Sequence, residues 1–149
     1  MTYEQGNLLI VWHDSNLTGI NILDEEHRGI VSIINALHYS LFVRKNDALL
    51  HSIVEMIMGY SKIHFETEME LLKDSDYPRR LEHHGLHEQL IAESDRIFQE
   101  CLHGSGDSNS YLKFLKDWWL VHINREDKAY SGHLLEYFRS GQRVIIKRG

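Results

Sequence analysis

The segment HFETEMELL, residues 64–72, has the spacing of an amphipathic helix, but the face it would bury carries two ionisable side chains. His64 and Glu68 are four residues apart, so on an α-helix they lie within about 40° of each other. Leu71 and Leu72 belong to the same face. Burying an imidazole and a carboxylate among apolar residues costs several kcal/mol unless another group compensates for them. This helix therefore predicts a buried polar site.

Composition limits the classes of protein to which the chain can belong. It has 149 residues, 42% of them hydrophobic, and a single proline, which suits one domain built from long helices. A net charge of −6 argues against a nucleic-acid-binding surface. One cysteine, Cys101, gives no disulfide framework and fits a reducing cytosol. The apolar run LLIVW is too short for a signal peptide or a membrane span, so we expect a soluble, cytoplasmic protein with no membrane partner.

Hydrophobic periodicity and turn residues predict four helices, A to D. Their expected limits are Asp24 to Leu41 for A, a cap at Asn46 or Asp47 and an end near Lys73 for B, Pro78 in the first turn and an end at Leu102 for C, and Tyr111 to Phe138 for D. The acidic residues 24–26 suit the positive end of helix A. RVIIK, residues 143–147, is the one stretch that resembles a strand.

Short connections between helices of this length predict an all-α, up-down-up-down four-helix bundle. We expect a single domain over residues 1–149. Its parts are an N-terminal arm (1–22), the bundle (23–138) and a C-terminal tail (139–149).

Every predicted helix carries metal-binding side chains on the face that the core would claim. They are His27 on A, His64 and Glu68 on B, His83 and His87 on C, and His122 and Asp127 on D. Five imidazoles and two carboxylates exceed the three or four ligands of one zinc ion. Nitrogen and oxygen donors without a thiolate suit iron or manganese. The set fits two six-coordinate ions that share the carboxylates and an oxygen.

Spacing alone does not decide the identity of two of the ligands. His84 competes with His83 because it lies three residues from His87, although it is rotated about 100° from His83. Asp127 follows His122 by five residues, which separates them by about 140° on a regular helix. Either the helix widens into a π-type turn near residues 122–127, or Asp127 reaches sideways, or Glu126 is the ligand. The remaining histidines are not expected to be ligands: His13, His38, His51, His103 and His133.

Four motifs, in order, resemble those of the hemerythrins and most closely their bacterial single-domain members. They are DEEH at 24–27, HFETE at 64–68, YPRRLEHHGLH at 77–87 and HINRED at 122–127. The resemblance covers residues 12–130, and four motifs in register make it specific.

The resemblance implies a di-iron centre and favours His83 over His84 and Asp127 over Glu126. The implied ligands are His83, His87 and His122 on one iron, His27 and His64 on the other, and Glu68, Asp127 and an oxo or hydroxo group as bridges. One coordination position is then left for O₂. An apolar O₂ pocket is expected from Ile30, Phe65, Trp118, Trp119 and Ile123.

The expected function is reversible O₂ binding, as a carrier, store or buffer, without enzymatic activity. One alternative is an oxygen or redox sensor that signals to a partner protein. A di-iron oxidase or peroxidase is disfavoured because ferritin-like oxidases use two Glu-x-x-His pairs, and here the only such pair is Glu100 and His103, beside a loop. The expected partner is O₂. A protein partner and a weak homo-oligomer both stay open.

Overall fold

The computed structural model describes residues 8–44, 47–104 and 107–141, and over these residues the regular structure is entirely helical. The α-helices are α1 (Asn21–His38), α2 (Leu50–Asp74), α3 (Arg80–Leu102), α4 (Ser108–Val121) and α5 (Lys128–Arg139). A π-helical segment, His122–Asp127, joins α4 to α5, so that the three together form the fourth helix of the bundle. α1 contacts α2, α2 contacts α3, α3 contacts α4, and α1 also contacts α4. The predicted four-helix bundle is confirmed.

The buried face of α2 explains why this segment packs as a helix. Its buried residues recur at the spacings of one helical face: Val54, Ile57, Ser61, His64, Phe65, Glu68, Leu71 and Leu72. Such a stripe becomes a single surface only in the helical conformation. Most of the stability of such a helix comes from packing this surface against its neighbours.

Two clusters of buried hydrophobic residues fill the bundle. The large cluster is Ile10, Ile30, Val31, Ile34, Leu37, Val54, Ile57, Phe65, Phe98, Tyr111, Leu112, Leu115, Trp118, Trp119 and Ile123. The small cluster is Ile20, Leu23, Leu71, Leu72, Tyr77, Tyr130 and Leu134. Along α1 and α2, the predicted ligand side chains come between residues of the two clusters. The polar site is therefore closed in by hydrophobic packing along the bundle.

Polar contacts fasten the N-terminal arm to α1. The Asp24 carboxylate accepts hydrogen bonds from the backbone N–H and hydroxyl of Thr18, at 2.7 and 2.8 Å, and from the N–H of Gly19. Nearer the other end of α1, the Asn35 amide exchanges two 2.9 Å hydrogen bonds with the backbone of Ile10. Asp24 therefore binds the arm, in addition to the predicted role of the acidic run at the helix dipole.

Three predicted boundaries differ from the structure. α1 begins at Asn21, earlier than expected, and α3 begins at Arg80, so Pro78 lies in the turn before the helix and not in its first turn. α4 begins at Ser108 because the Asp107 side chain accepts a 2.7 Å hydrogen bond from the N–H of Ser110 and caps the helix. The connection between the predicted end of helix C at Leu102 and the predicted start of helix D at Tyr111 is correspondingly shorter.

Other expectations concern residues that the structure describes only in part. Leu49 is the N-cap of α2 and makes no side-chain cap, while Asp47 lies in a short 3₁₀ turn before it, so the predicted cap at Asp47 is wrong. Asn46 and the strand-like stretch at 143–147 lie outside the described residues. The division into arm, bundle and tail stays a prediction.

None of the helices in the described part of the chain combines the length and the apolar character that a membrane span requires.

Gly29 gives the first testable prediction, because α1 and α2 approach closely there. A Cβ atom at Gly29 would lie 2.7 Å from the hydroxyl oxygen of Tyr60, whereas one at Gly59 would meet no described atom within 4 Å. Ala in a helix interior is favoured over Gly by about 0.5–1 kcal/mol. We expect Gly59→Ala to raise the thermal unfolding temperature and Gly29→Ala to lower it, as measured by circular dichroism. Equal stabilisation by both variants would show that the Tyr60 contact is unimportant.

Candidate metal centre

All seven predicted ligand side chains are buried and converge inside the bundle. Four are fully inaccessible (His27, His64, Glu68 and Asp127), and the other three are 2–4% exposed (His87, His122 and His83). Their donor atoms form two groups, in each of which all atoms lie within 4.8 Å of one another. One group is Glu68, His83, His87, His122 and Asp127, and the other is His27, His64, Glu68 and Asp127. The two carboxylates belong to both groups.

Glu68 is the carboxylate that α2 directs at α3. Its Oε2 lies 2.8 Å from Nε2 of His87, 3.4 Å from Nε2 of His83 and 3.6 Å from Nε2 of His64. The i,i+4 spacing of His64 and Glu68 places both side chains on the inward face of α2, and the same spacing does so for His83 and His87 on α3. The pair His64 and Glu68 in the segment HFETEMELL thus forms one side of the site.

Asp127 approaches the imidazoles of both groups. Its Oδ1 is 2.9 Å from Nε2 of His122 and 3.3 Å from Nε2 of His83, and its Oδ2 is 2.7 Å from Nε2 of His27. One carboxylate oxygen therefore faces the three-histidine group, and the other faces the two-histidine group. This is the geometry that a bridging carboxylate requires.

The helix irregularity predicted between His122 and Asp127 is confirmed, because residues 122–127 form a π-helical segment. A π turn closes its hydrogen bonds between residues five apart, so it returns the fifth residue to the face of the first. Asp127 is consequently fully buried in the cluster. Glu126 is only half-buried and is in neither group of donors.

The structure also distinguishes His83, which is at the site, from His84, which is not. His83 is 4% exposed and within 3.4 Å of both shared carboxylates, whereas the His84 side chain is 52% exposed and lies 3.0 Å from Glu88 on the surface of α3. Among the described residues, neither donor group includes a histidine that spacing had set aside.

The donor atoms fit a cation. Within the described residues, several buried atoms lack any hydrogen-bond partner although they lie close together: Nε2 of His83, His87 and His122, Oε2 of Glu68, and both carboxylate oxygens of Asp127. Buried polar atoms are normally hydrogen-bonded, and buried carboxylates need a compensating charge. Imidazole and carboxylate donors without thiolate suit iron or manganese. The residues are therefore a metal-binding cluster, and the assignment of each ligand stays a proposal.

Three side-chain contacts with the cluster were not predicted from the sequence. Glu26 is 7% exposed and contacts His64, the Tyr130 hydroxyl donates to Oε1 of Glu68, and the Phe65 ring stacks on His87 at 3.8 Å between centroids. From the sequence, Glu26 is expected only to belong to the acidic start of α1. The position of Tyr130, three residues after Asp127, could have indicated a side chain near that face. Phe65 had been expected only in the O₂ pocket.

In the chain alone, the carboxylates keep two imidazoles protonated. Burial lowers the pKa of His64, but Glu68, Asp127 and Glu26 outweigh burial and raise this pKa to about 10. Burial also lowers the pKa of His83, and Asp127 and Glu68 raise it to about 9. Burial and Asp127 raise the pKa of Glu68, yet the imidazoles around it lower that pKa to about 2. The metal-free cluster therefore contains opposite charges, and protons occupy metal-binding nitrogens.

Metal binding must displace these protons, so iron affinity should depend on pH. Because the pKa values of about 10 for His64 and about 9 for His83 lie above neutrality, both imidazoles are protonated at pH 7 and lose their protons as pH rises. Apparent affinity should rise about tenfold per pH unit for each proton displaced. An anaerobic iron(II) titration against a chelator at pH 6.5, 7.5 and 8.5 measures this slope. Affinity that does not change with pH would contradict the proton count.

A pair of neighbouring histidines tests the assignment on α3. We expect His83→Ala to lower the iron content of the purified protein and its unfolding temperature, because it removes a donor and leaves buried carboxylates uncompensated. His84→Ala is the matched control and should change neither quantity, since its side chain is on the surface. Iron lost from the His84 variant and retained by the His83 variant would reverse the assignment.

Comparisons with known proteins agree with this geometry. The family model for the hemerythrin HHE cation binding domain matches residues 18–134. The chain is 28% identical over 138 residues to a bacteriohemerythrin of Stenotrophomonas maltophilia, covering 90% of each chain. It is 31% identical over 121 residues to a bacteriohemerythrin of Pseudomonas paraeruginosa, covering 81% of this chain and 78% of the relative.

The fold matches as well. A crystal structure of wild-type hemerythrin superposes with a TM-score of 0.76 at 22% identity, over 85% of this chain and 98% of the other. The family model spans all seven converging side chains and every buried residue of the two hydrophobic clusters except Ile10. This chain belongs to the hemerythrin family.

Proposed function

We propose that the protein holds two iron ions and binds O₂ reversibly, as a carrier, store or buffer. The observation that supports this most strongly is the pair of donor groups that share Glu68 and Asp127. One buried cation could be served by either group alone. Two groups with common carboxylates suit two ions that lie side by side. Membership of a family with bacteriohemerythrin relatives supports the same function.

In this proposal, each iron is held by one group of imidazoles. The proposed ligands are His83, His87 and His122 for one iron, His27 and His64 for the other, and Glu68 and Asp127 for both. When bound, the iron pair supplies the redox chemistry that O₂ binding requires. The two-histidine side has fewer protein ligands, so that side has room for O₂.

Apolar rings close the cluster against water. Trp119 is fully buried, and its ring centroid lies 5.9 Å from that of His27 and 6.1 Å from that of His64. Phe65 covers His87 by stacking on it at 3.8 Å. Excluding water keeps protons away from reduced oxygen species, which favours release of O₂ over its reduction. We propose that the wall of the O₂ pocket consists of Ile30, Phe65, Trp118, Trp119 and Ile123, which are all buried in the large cluster.

Tyr130 fixes the orientation of Glu68. Burial, Asp127 and Glu68 together raise the pKa of the Tyr130 phenol well above its usual value, so the hydroxyl stays protonated and donates a hydrogen bond to Oε1 of Glu68. The other oxygen, Oε2, then faces the imidazole of His87. Tyr130 thereby helps to hold Glu68 in a bridging orientation.

The three buried carboxylates described at the site each lie against neighbouring side chains. Glu68 and Asp127 lie among the imidazoles, and Glu26 contacts His64 and accepts a hydrogen bond from Thr67. A carboxylate held in this way is poorly placed to carry protons from solvent to O₂. This arrangement supports O₂ binding over cleavage of the O–O bond.

Optical spectra test the proposal. The purified protein should bind about two iron ions per chain, be nearly colourless when reduced, and become coloured in air. Degassing should restore the colourless form at least in part, because water and protons are kept from the site. A spectrum recorded before air, after air and after degassing measures each step.

The two alternatives give different results. A groove of about 610 Å³ lined by Leu90, Trp118 and His122, among others, offers an oxidase a place for an organic substrate. Turnover of such a substrate with no reversible colour change would favour that enzyme. Reversible colour combined with O₂-dependent binding to a partner protein would favour a sensor. Protein that binds no iron would contradict all three functions.

A further inference from the structure

Glu26 is a third buried carboxylate beside the cluster, and it belongs to neither group of converging donors. It follows the acidic start of α1 and immediately precedes His27 in the sequence. Its side chain contacts α2 at the outer edge of the His64 ring. The carboxylate thus directly contacts one of the proposed iron ligands, His64.

Both oxygens of Glu26 have defined partners. Oε1 is 3.0 Å from Nδ1 of His64, and Oε2 accepts a 2.9 Å hydrogen bond from the hydroxyl of Thr67. An ionised carboxylate only accepts hydrogen bonds, so Nδ1 of His64 must carry the proton in this contact. When the ring is neutral, its lone pair is then on Nε2. That atom faces the cluster, 3.6 Å from Oε2 of Glu68.

The contact is not repeated at two other ligand histidines. Nδ1 of His27 and Nδ1 of His87 are buried and make no hydrogen bond with any described residue. His27 shares the two-histidine group with His64, and His87 belongs to the three-histidine group. A carboxylate bonded to the outer nitrogen of a metal-bound histidine fixes its tautomer and strengthens the inner nitrogen as a donor. Glu26 therefore acts on the two-histidine group through a single ligand.

We propose that Glu26 is a positioning residue that orients His64 and strengthens it as a ligand, so that it sets the affinity and redox potential of the two-histidine iron. This inference rests on the proposed di-iron function. The Thr67 hydroxyl holds Glu26 in place. Because the two-histidine iron has fewer imidazoles, each one contributes a larger share of its binding.

A matched pair of neighbouring glutamates tests the role. Glu26→Gln removes the charge but keeps the size of the side chain, and Glu25→Gln makes the same change at a side chain that is 72% exposed. Thr67→Val is a milder second variant that retains Glu26. Anaerobic iron(II) titration should show that Glu26→Gln weakens one of the two sites by about 10–100-fold, the range typical of residues that support a metal ligand. Thr67→Val should shift the same site less, and Glu25→Gln should shift neither.

Two further measurements separate positioning from a general loss of stability. The midpoint potential of the iron pair should rise in Glu26→Gln, because a weaker donor stabilises iron(III) less. In the metal-free protein, ¹⁵N NMR of histidine should show one Nδ1–H resonance that moves in Glu26→Gln and stays in place in Glu25→Gln.

The outcomes are distinct. If both sites weaken equally, or if Glu26→Gln behaves like Glu25→Gln while the unmodified protein binds two irons, the role of Glu26 is overturned and the proposed function stands. If the unmodified protein binds no iron, the proposed function and this inference fail together.

Discussion

Two buried carboxylates among five imidazoles are the constraint on which the rest of the structure depends. Glu68 and Asp127 are fully inaccessible and lie within 4 Å of several imidazole nitrogens. Ionised carboxylates are stable in a core only when nearby positive charge compensates for them. Protonated histidines supply that charge in the chain alone, and metal ions would supply it more completely. Fold, electrostatics and function therefore meet in this one layer of the bundle.

The helices serve that layer by fixing the direction of each side chain. α2 and α3 do so through i,i+4 pairs, which ordinary helix geometry places on one face. The fourth helix cannot use this spacing, because its two donors are five residues apart. A π-helical segment at His122–Asp127 places both donors on the same face. Hydrophobic clusters on either side hold the helices in register. The irregular segment thus occurs where the site requires it, within an otherwise regular helix.

Much of this was predictable from the sequence because periodicity decides it. The faces of His64 with Glu68 and of His83 with His87 follow from helix geometry alone. The misfit of His122 and Asp127 gave a π segment as one of three alternatives, and the family resemblance favoured Asp127. The choice of His83 over His84 also needed the family resemblance. Side-chain contacts between helices could not be predicted in this way. The approach of Glu26 on α1 to His64 on α2 depends on how the two helices pack. It cannot be predicted from the sequence of either helix alone.

Helix ends were the least predictable part of the fold for a related reason. Asp107 caps α4 with its own side chain, and Pro78 lies in a turn before α3, where a one- or two-residue shift costs little. The inward face of a helix is set by many buried residues at once, whereas an end is set by one or two. The site could therefore be located although the boundaries were inexact.

The central claim is that one buried cluster binds two metal ions that share Glu68 and Asp127. Anomalous diffraction at the iron absorption edge, from crystals of the iron-loaded protein, tests it most directly. The account predicts two anomalous peaks per chain, one beside His83, His87 and His122 and the other beside His27 and His64, with both shared carboxylates between them. A single peak, or peaks outside the bundle, would contradict it.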